Sequence, residues 1–277
     1  LHKGESTLKC HYCDRRAPVP TRCPTCDGEH LHFGAEGTEQ VEEVLREALP
    51  GVRLARMDRD TVVRRGKSAE ILRGFEAGKY DVLMGTQMIA KGHHFPGITL
   101  VGVLSADHLL AFADFRASER TFQLLTQVSG RSGRGDKPGE VIIQAFHTEH
   151  YALQAARDQD PEGFYRKELR YRKIMSYPPF AVLAALIVRD RQARRGAEGA
   201  ERVCRRLEEL GQGRITILGP ALAPIGRIRG EYRYQILIKA ERRGRIRFVV
   251  NELLTELRSL HILPRNLIID IDPLSTM

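Results

Sequence analysis

The stretch YDVLMGTQMIAKGHHFPGITLVGVLSAD, from Tyr80 to Asp107, contains two apolar runs joined by a polar segment. The runs YDVLMGT and ITLVGVLSAD are nearly continuous in apolar residues, which is typical of parallel strands covered on both faces. Helical and strand patterns alternate around them and predict a doubly wound α/β lobe. Ligands of such a lobe bind at the carboxyl ends of the strands, where Gly85-Thr86-Gln87 and Asp107 fall.

The same alternation runs from about residue 31 to residue 150. GTEQVEEVLREALP has apolar residues at helical spacing, with Thr38 as the expected N-cap and Pro50-Gly51 as the end. The other predicted elements are a strand in VRLARMD, a helix in SAEILRGFEAG closed by Gly78, a helix in SERTFQLLTQVSG and a strand in GEVIIQAF.

The C-terminal part has a different order, after a charged helical stretch, PEGFYRKELRYRKIM, and a break at SYPPF. It shows a strand in FAVLAALIVRD, a helix at about 192–211, a strand in RITILGP, a loop at 222–232, a strand in YRYQILIKA, a helix at about 242–260 and a strand in NLIIDIDP. That βαββαβ order predicts a ferredoxin-like α+β domain, a common binding platform. Two pairs of arginines, in the loop and on the second helix, form either a solvated basic face or a contact surface. They are Arg227, Arg229, Arg245 and Arg247.

Composition favours a polyanionic partner. Lys and Arg number 44 against 35 Asp and Glu, which gives the 277-residue chain a formal net charge of +9. Such a balance fits nucleic acid, although many other proteins share it. The chain has no Trp and only 6% aromatic residues, so base stacking is not expected to be a major task. No apolar run reaches the 18 residues of a membrane span, and no signal peptide is visible.

Four of the five cysteines form a pattern. CHYC and CPTC place Cys10, Cys13, Cys23 and Cys26 as C-x2-C-x9-C-x2-C. Two such knuckles favour zinc over disulfides or a redox pair, because adjacent turns can aim their thiolates at one tetrahedral ion. His11 and His30 lie nearby but are expected at the surface or behind the ligands. Cys204, on a predicted helix, is expected to be an ordinary buried thiol.

The segment QVSGRSGRG, residues 127–135, holds two arginines in a glycine-rich turn after a helix. Alone it fits a basic surface turn as well as a phosphate contact. Together with GTQ and Lys91-Gly92 it favours the second, because phosphoryl transfer spreads charge over phosphate oxygens that rigid guanidinium groups stabilise. Gly130 and Gly133 would hold Arg131 and Arg134, and Gln127 could bind a phosphate or an attacking water.

At these residues the chain resembles the PriA family of bacterial replication-restart DNA helicases (primosomal protein N′). The matching strings are GTQMIAKGHHFPGITLVGVLSAD, DFRASERTFQLLTQVSGRSGRG, LPGVRLARMDRDT, the two knuckles, SYPPF, ILGPALAP and the final IDIDP. The resemblance therefore runs from one end of the chain to the other.

The resemblance implies a superfamily 2 helicase that uses ATP with Mg2+, travels 3′ to 5′, recognises stalled or repaired forks and starts reloading of the replicative helicase. Residues 1–30 would be part of a zinc region that holds two Zn2+ ions in the full-length protein and engages primosome proteins. Residues 31–175 would be the second RecA-like helicase lobe with a trailing helical linker, and 176–277 the domain that binds branched DNA and partners. Gly85, Thr86, Gln87, Lys91 and Gly92 match the motif that links the ATP cleft to DNA, and Gln127, Arg131 and Arg134 match the arginine-finger motif.

The resemblance also implies that single-stranded DNA-binding protein docks near Arg245 and Arg247, although Val249 stands where a polar residue is expected. The chain lacks a G-x-x-x-x-G-K-[ST] phosphate loop, a DEAH-like carboxylate pair and four of the family's eight cysteines. It is therefore expected to be the C-terminal portion of a longer, cytoplasmic, nucleoid-associated and monomeric protein, inactive as a fragment. The alternative is a fork-binding primosome assembly factor without helicase activity.

Overall fold

The computed structural model describes residues 7–9, 16–23, 26–29, 37–58, 61–62, 66–86, 89, 97–130 and 139–276. The strands are β1 Thr7–Lys9, β2 Arg16–Pro18, β3 Leu54–Met57, β4 Val82–Gly85, β5 Leu100–Val103, β6 Glu140–Ile143, β7 Val182–Asp190, β8 Thr216–Ile228, β9 Glu231–Ala240 and β10 Leu267–Ile271. The helices are α1 Thr38–Ala48, α2 Lys67–Glu76, α3 Ala117–Ser129, α4 Tyr151–Arg157, α5 Pro161–Ile174, α6 Ala193–Gly211 and α7 Arg243–Thr255, with short 3-10 segments at Ala106–Ala111 and Pro264–Asn266.

These elements belong to two compact units that do not follow chain order. The first unit contains residues 108–119 and 161–276 with the antiparallel pair β1–β2, and the second contains the described residues of 20–107 and 120–160. The boundaries expected from sequence, at residues 31 and 176, stay a prediction.

In the first unit, β7 to β10 form one antiparallel sheet in the order β10-β7-β9-β8. Helices α6 and α7 pack on it, and alternate residues of the central strands are fully buried, among them Leu186 and Ile238. The element order strand-helix-strand-strand-helix-strand is as the sequence predicted.

Two details of this unit differ from the prediction. The expected 222–232 loop is mostly strand: β8 continues to Ile228, and only Arg229 and Gly230, both at positive φ, turn the chain into β9. Pro220 and Pro224 are tolerated because both fall at register shifts of the edge strand β8, where the pairing with β9 is interrupted and no backbone N–H is required. Helix α7 ends at Thr255 rather than near residue 260, and the Thr255 and Ser259 hydroxyls donate to nearby carbonyls, in competition with helical pairing.

In the second unit, the parallel strands occur as two pairs, β3–β4 and β5–β6, and within the described ranges no ladder joins the pairs. Helix α2 covers β3 through contact of Leu72 with Met57. The expectation that both faces of the strand in ITLVGVLSAD are covered is wrong for β5, because Leu100 is 58% exposed. Ile142 of the paired strand β6 is 54% exposed as well. Apolar sequence shows that a face can be buried, but another element must lie on it for burial to occur.

Among the described residues, no helix combines the length and apolar character needed to cross a bilayer.

Candidate functional site

The carboxyl ends of β3 and β4 lie side by side. Met57 is paired with Gly85, so that Asp58 and Thr86 are the first residues beyond the two strands. A Cβ on Gly85 would lie 2.0 Å from the carbonyl oxygen of Met57. The glycine of the GTQ sequence is therefore required by the neighbouring strand. Thr86 is exposed beside it and can offer its hydroxyl to a ligand.

Asp58 is a buried carboxylate at this edge to which sequence reasoning assigned no role. Its Oδ2 accepts a hydrogen bond from Thr38 Oγ1 at 2.7 Å, and its Oδ1 accepts one from the backbone N–H of Thr61 at 2.8 Å. Arg56 Nε lies 3.0 Å from the carboxylate. Burial raises the pKa of Asp58, but these bonds and the Arg56 charge outweigh it, and the net pKa is lowered.

The Asp58 network corrects the predicted role of Thr38. The N-cap of α1 is Gly37, which makes no side-chain capping bond, and Thr38 is the first helical residue. Its hydroxyl is instead held by Asp58, which ties α1 to the end of β3. The D-x-x-T spacing of Asp58 and Thr61 is the signal from which the turn could have been recognised.

Asp107 of the SAD sequence holds backbone rather than facing open space. It is 8% exposed, and its Oδ2 accepts the N–H groups of Phe146 at 2.8 Å and His147 at 2.9 Å. Burial raises the pKa of Asp107, and the N–H groups of His147 and Phe146 more than offset this, so that its pKa is lowered. Asp107 therefore fixes the loop after β6 against the loop after β5.

Helix α3 carries the start of the arginine-rich segment. Thr121, Phe122 and Leu125 form its buried side, while Gln127 in the last turn is exposed. The N–H of Gly130 donates to the Thr126 carbonyl at 3.1 Å and closes the helix. An exposed amide at this place is available to a ligand.

Several predicted site residues lie outside the described residues, and their roles stay predictions. They are Gln87, Lys91, Gly92, Arg131, Gly133 and Arg134 of the helicase motifs, Cys10 and Cys13 of the first knuckle, and His11 and His30.

The second knuckle forms a local turn. The N–H of Asp27 donates to the Cys23 carbonyl, and the N–H of Cys23 donates to the Gly28 carbonyl, both at 2.9 Å. Cys26 is exposed and Cys23 half-buried, and both are thiols. Two thiols on one such turn fit a zinc site. In the described part of the chain no three His, Cys, Asp or Glu side chains are grouped around a metal position, and two of the four predicted ligands lie outside that part. Cys204 is buried at 6% exposure in the C-terminal core, as predicted.

The C-terminal arginines lie on two elements. Arg227 is exposed near the tip of the β8–β9 hairpin, with its guanidinium 4.8 Å from the Tyr232 ring centroid, and Arg229 occupies the turn. Arg245 and Arg247 are exposed on α7 on either side of buried Ile246. Val249, unexpected for a docking surface, is 1% exposed and belongs to the core.

Comparisons with known proteins agree with the motifs. Residues 173–274 match the primosomal protein N C-terminal domain family, and residues 28–136 match the helicase conserved C-terminal domain family. The replication restart protein PriA of Bacillus subtilis (strain 168) is 44% identical over 280 residues, which cover 100% of this chain and 34% of that protein. The PriA of Synechocystis sp. is 40% identical over 277 residues, which cover 98% of this chain and 32% of that protein.

The chain thus spans about a third of the length of these curated relatives. Among solved structures, the de novo designed protein Foldit4 matches 33% of this chain and 92% of the Foldit4 chain, at 13% sequence identity. The TM-score of 0.26 is too low to support an argument about the fold. The two domain matches and the identity along the whole chain show that it belongs to the PriA family, with the helicase C-terminal domain and the primosomal C-terminal domain in tandem.

Proposed function

We propose that the chain is the C-terminal portion of an ATP-dependent replication-restart helicase that moves 3′ to 5′, binds stalled or repaired forks and starts reloading of the replicative helicase. The observation that carries this is the position of α3, which lies within the helicase match and presents exposed Gln127 directly before the sequence GRSGR. Arginines in a glycine turn are suited to charge that develops on a phosphoryl group.

In this proposal Arg131 and Arg134 stabilise the γ-phosphate oxygens and Gln127 orients a phosphate or the attacking water. The segment Gly85-Thr86-Gln87 with Lys91 and Gly92 couples the ATP cleft to DNA. Asp107 acts by holding the backbone at Phe146 and His147 rather than by touching nucleotide. ATP and Mg2+ bind with the help of residues outside this chain, since it contains no phosphate-loop sequence.

We assign the C-terminal sheet to the ferredoxin-like class, because its order β10-β7-β9-β8 places the fourth strand beside the first and the third between the first and second. Arg227 and Arg229 on the hairpin would bind the phosphates of branched DNA, and Arg245 and Arg247 would bind single-stranded DNA-binding protein. The protein would act as a cytoplasmic, nucleoid-associated monomer.

The first test measures ATP turnover and unwinding by the whole gene product on forks with 3′ or 5′ tails. Arg134→Ala should lower DNA-stimulated turnover by about a thousandfold, the scale of an arginine finger, without changing fork affinity. Arg157→Ala is the matched control, because Arg157 is an exposed surface arginine paired with its neighbour Asp158. Unchanged turnover in the Arg134 variant would remove the finger assignment.

The same assay distinguishes the second candidate function. A gene product that binds forks and recruits the loader but never hydrolyses ATP is an assembly factor, and the helicase proposal is then wrong.

We also propose that Cys10, Cys13, Cys23 and Cys26 hold zinc, with two ions in the whole protein, and that this region engages primosome proteins. The supporting observation is the Cys23–Gly28 turn, which carries two thiols. Cys26→Ser should lower the zinc content found by elemental analysis, whereas Cys204→Ser should not. Full zinc content in Cys26→Ser would exclude Cys26 as a ligand.

A further inference from the structure

A small cavity lies in the first unit where β7 ends, between α6 and the segment 261–266. Its volume is about 140 Å³. Pockets that enclose a whole cofactor or drug-sized ligand measure roughly 300–1,000 Å³. Val188, Gly199 and Ile262 are the buried residues of its wall, and the remaining lining is polar. A cavity of this size and character fits one small polar group.

The side of α6 that lines the cavity carries two arginines with a glycine between them. Arg195 and Arg202 are seven residues apart, which is two helical turns or about 10 Å along the axis. A Cβ on Gly199 would lie 3.5 Å from Val188 Cγ1 and 3.7 Å from Arg202 Nη2. Because this position has no side chain, the space between the two arginines stays open.

Both arginines have nitrogens to offer to a ligand. The Nε of Arg202 donates to the Leu260 carbonyl at 2.9 Å, which fixes the guanidinium group beside the cavity. Its terminal nitrogens bind no other group among the described residues. Arg195 is exposed, and its guanidinium group has no hydrogen-bond or ion-pair partner in the described part of the chain. Two planar forks of donors therefore border the same cavity.

The opposite wall adds two further donor groups. The His261 imidazole and the Asn266 amide both line the cavity. His261 has a positive φ of 54°, and the N–H of Asn266 donates to the Leu263 carbonyl at 2.8 Å, so that both residues belong to turns. A neutral imidazole and an amide can each donate a hydrogen bond. Donors from two separate parts of the chain thus meet at one place.

The two carboxylates of the cavity wall are already engaged. Asp190 Oδ1 accepts a hydrogen bond from the backbone N–H of Gln192 at 2.8 Å. Glu198 Oε1 accepts one from Arg194 Nε, also at 2.8 Å. Neither carboxylate binds Arg195 or Arg202. The positive charge of those two arginines is therefore not neutralised by the wall of the cavity.

Arg189 also lines the cavity but offers less to a ligand. One of its terminal nitrogens lies 3.3 Å from Glu231 Oε2, and the other donates to the Arg265 carbonyl. It therefore adds a paired charge, and Arg195 and Arg202 remain the guanidinium groups without a carboxylate partner.

The cavity lies at the same end of the C-terminal sheet as the β8–β9 hairpin. Asp190 is paired with Tyr232 across β7 and β9, and Tyr232 is paired with Arg227 across β9 and β8. Neighbouring strands are about 4.8 Å apart, so the backbone of Arg227 is about 10 Å from that of Asp190. A strand of DNA that contacts the hairpin would pass close to the cavity.

We propose that this cavity binds a phosphate group, with Arg195 and Arg202 as its main ligands and His261 and Asn266 as further donors. Guanidinium forks match the oxygens of a phosphate, and charge-assisted hydrogen bonds of this kind are strong. That the phosphate belongs to DNA rests on the proposed function, because it follows from the neighbouring hairpin. The phosphate chemistry of the cavity does not rest on it.

The proposal is tested by arginine modification with phenylglyoxal on the whole gene product, read residue by residue by mass spectrometry. Inorganic phosphate at ten times its Kd should slow the modification of Arg195 and Arg202 about tenfold, since a bound site is shielded. Arg205 is the internal control, because it is exposed on the same helix and outside the cavity wall. Equal slowing at Arg205, no slowing at Arg195, or equal protection by acetate at the same ionic strength would overturn the proposal.

Two variants of His261 check the site without removing either arginine. His, Asp and Asn all tolerate the positive φ of this position. His261→Asp places a negative charge at the cavity and should raise the phosphate concentration for half-protection about five- to tenfold, the scale of one partly exposed ion pair. His261→Asn keeps a neutral donor and should change it little. The same concentration for both variants would overturn the site.

Oligonucleotides identify the source of the phosphate. Protection of Arg195 by a 5′-phosphorylated strand alone indicates a terminal phosphate, and equal protection by its 5′-hydroxyl counterpart indicates an internal one. If inorganic phosphate protects and neither strand does, the assignment to DNA is overturned. If phosphate protects Arg195 but the gene product neither hydrolyses ATP nor unwinds forks, the phosphate site stands and the proposed helicase function fails.

Discussion

The C-terminal sheet and the parallel strand pairs differ in how they bury apolar residues. In the sheet, Leu186 and Ile238 are 0% exposed beneath α6 and α7. In the pair β5–β6, Leu100 and Ile142 are more than half exposed although their sequences are as apolar. An antiparallel βαββαβ unit supplies its own covering helices, while short parallel strands depend on elements placed on both faces. Equal hydrophobicity therefore contributes unequal stability in the two regions.

The largest expected effect comes from the centre of the sheet. Leu186→Ala should lower the free energy of local unfolding by about 2–5 kcal/mol, because it opens a cavity in a closed core. Ile142→Ala should change it by at most about 1 kcal/mol, since that side chain is largely in water already. Amide exchange in β9 measures the effect of Leu186→Ala, and amide exchange in β5 measures that of Ile142→Ala. Similar losses of stability in the two variants would contradict the difference between the regions.

In the parallel pair β3–β4, one backbone contact makes stability sensitive to the addition of a side chain. Gly85→Ala places a methyl group against the Met57 carbonyl and should cost about 1–3 kcal/mol in protection of β3 and β4. Gly102→Ala in β5 is the control, because a Cβ there meets nothing within 4 Å. If the two variants lose the same amount of amide protection, the inferred close contact between Gly85 and the Met57 carbonyl is wrong.

Asp107 accepts two backbone hydrogen bonds in the same unit, and their loss should have a local effect of similar size. Asp107→Ala leaves the N–H groups of Phe146 and His147 without their acceptor and should cost about 1–3 kcal/mol locally, whereas Asp107→Asn keeps an acceptor oxygen and should cost less. Exchange of the 146–150 amides reports the difference. If Asp107→Ala costs no more stability than Asp107→Asn, these hydrogen bonds contribute little.

The smallest expected effect is the loss of stability at low pH when two carboxylates become protonated. Hydrogen bonds from Arg116 lower the pKa of Glu119 to about 2, against an ordinary value near 4.5, and in the second unit Arg53 lowers the pKa of Asp81 to about 2. A carboxyl whose folded pKa is depressed stabilises above its unfolded pKa and loses that contribution as pH falls through the folded one. The contribution of Glu119 should therefore fade between about pH 4.5 and pH 2, and that of Asp81 between about pH 3.8 and pH 2.

The stability contributions of these two carboxyls should differ in their sensitivity to salt. The Glu119 side chain is 15% exposed, while Asp81 is 44% and its partner Arg53 57% exposed. Added salt should remove the Asp81 contribution and leave most of that of Glu119. Unfolding titrations of Glu119→Gln and Asp81→Asn at two ionic strengths measure this, and equal salt sensitivity would contradict the difference in burial.

The element order was predictable because helical and strand periodicity are local properties of the chain. The strands around GTQ and SAD, helix α3 and the βαββαβ order all lie where the apolar spacing predicted them. The failures involve partners instead: Thr38 binds Asp58 rather than capping α1, and the expected loop at 222–232 is largely a hairpin of an edge strand.

By itself the sequence determined which chemistry is present: four patterned thiols, two arginines between glycines, and the matches that establish the family. Only the tertiary structure decided that Gly85 is required by Met57, that Asp107 holds backbone and that Arg172 binds Glu119. Each of these depends on where the chain returns after tens of residues. Such distances follow from the packing of whole elements, and no local pattern of residues contains them.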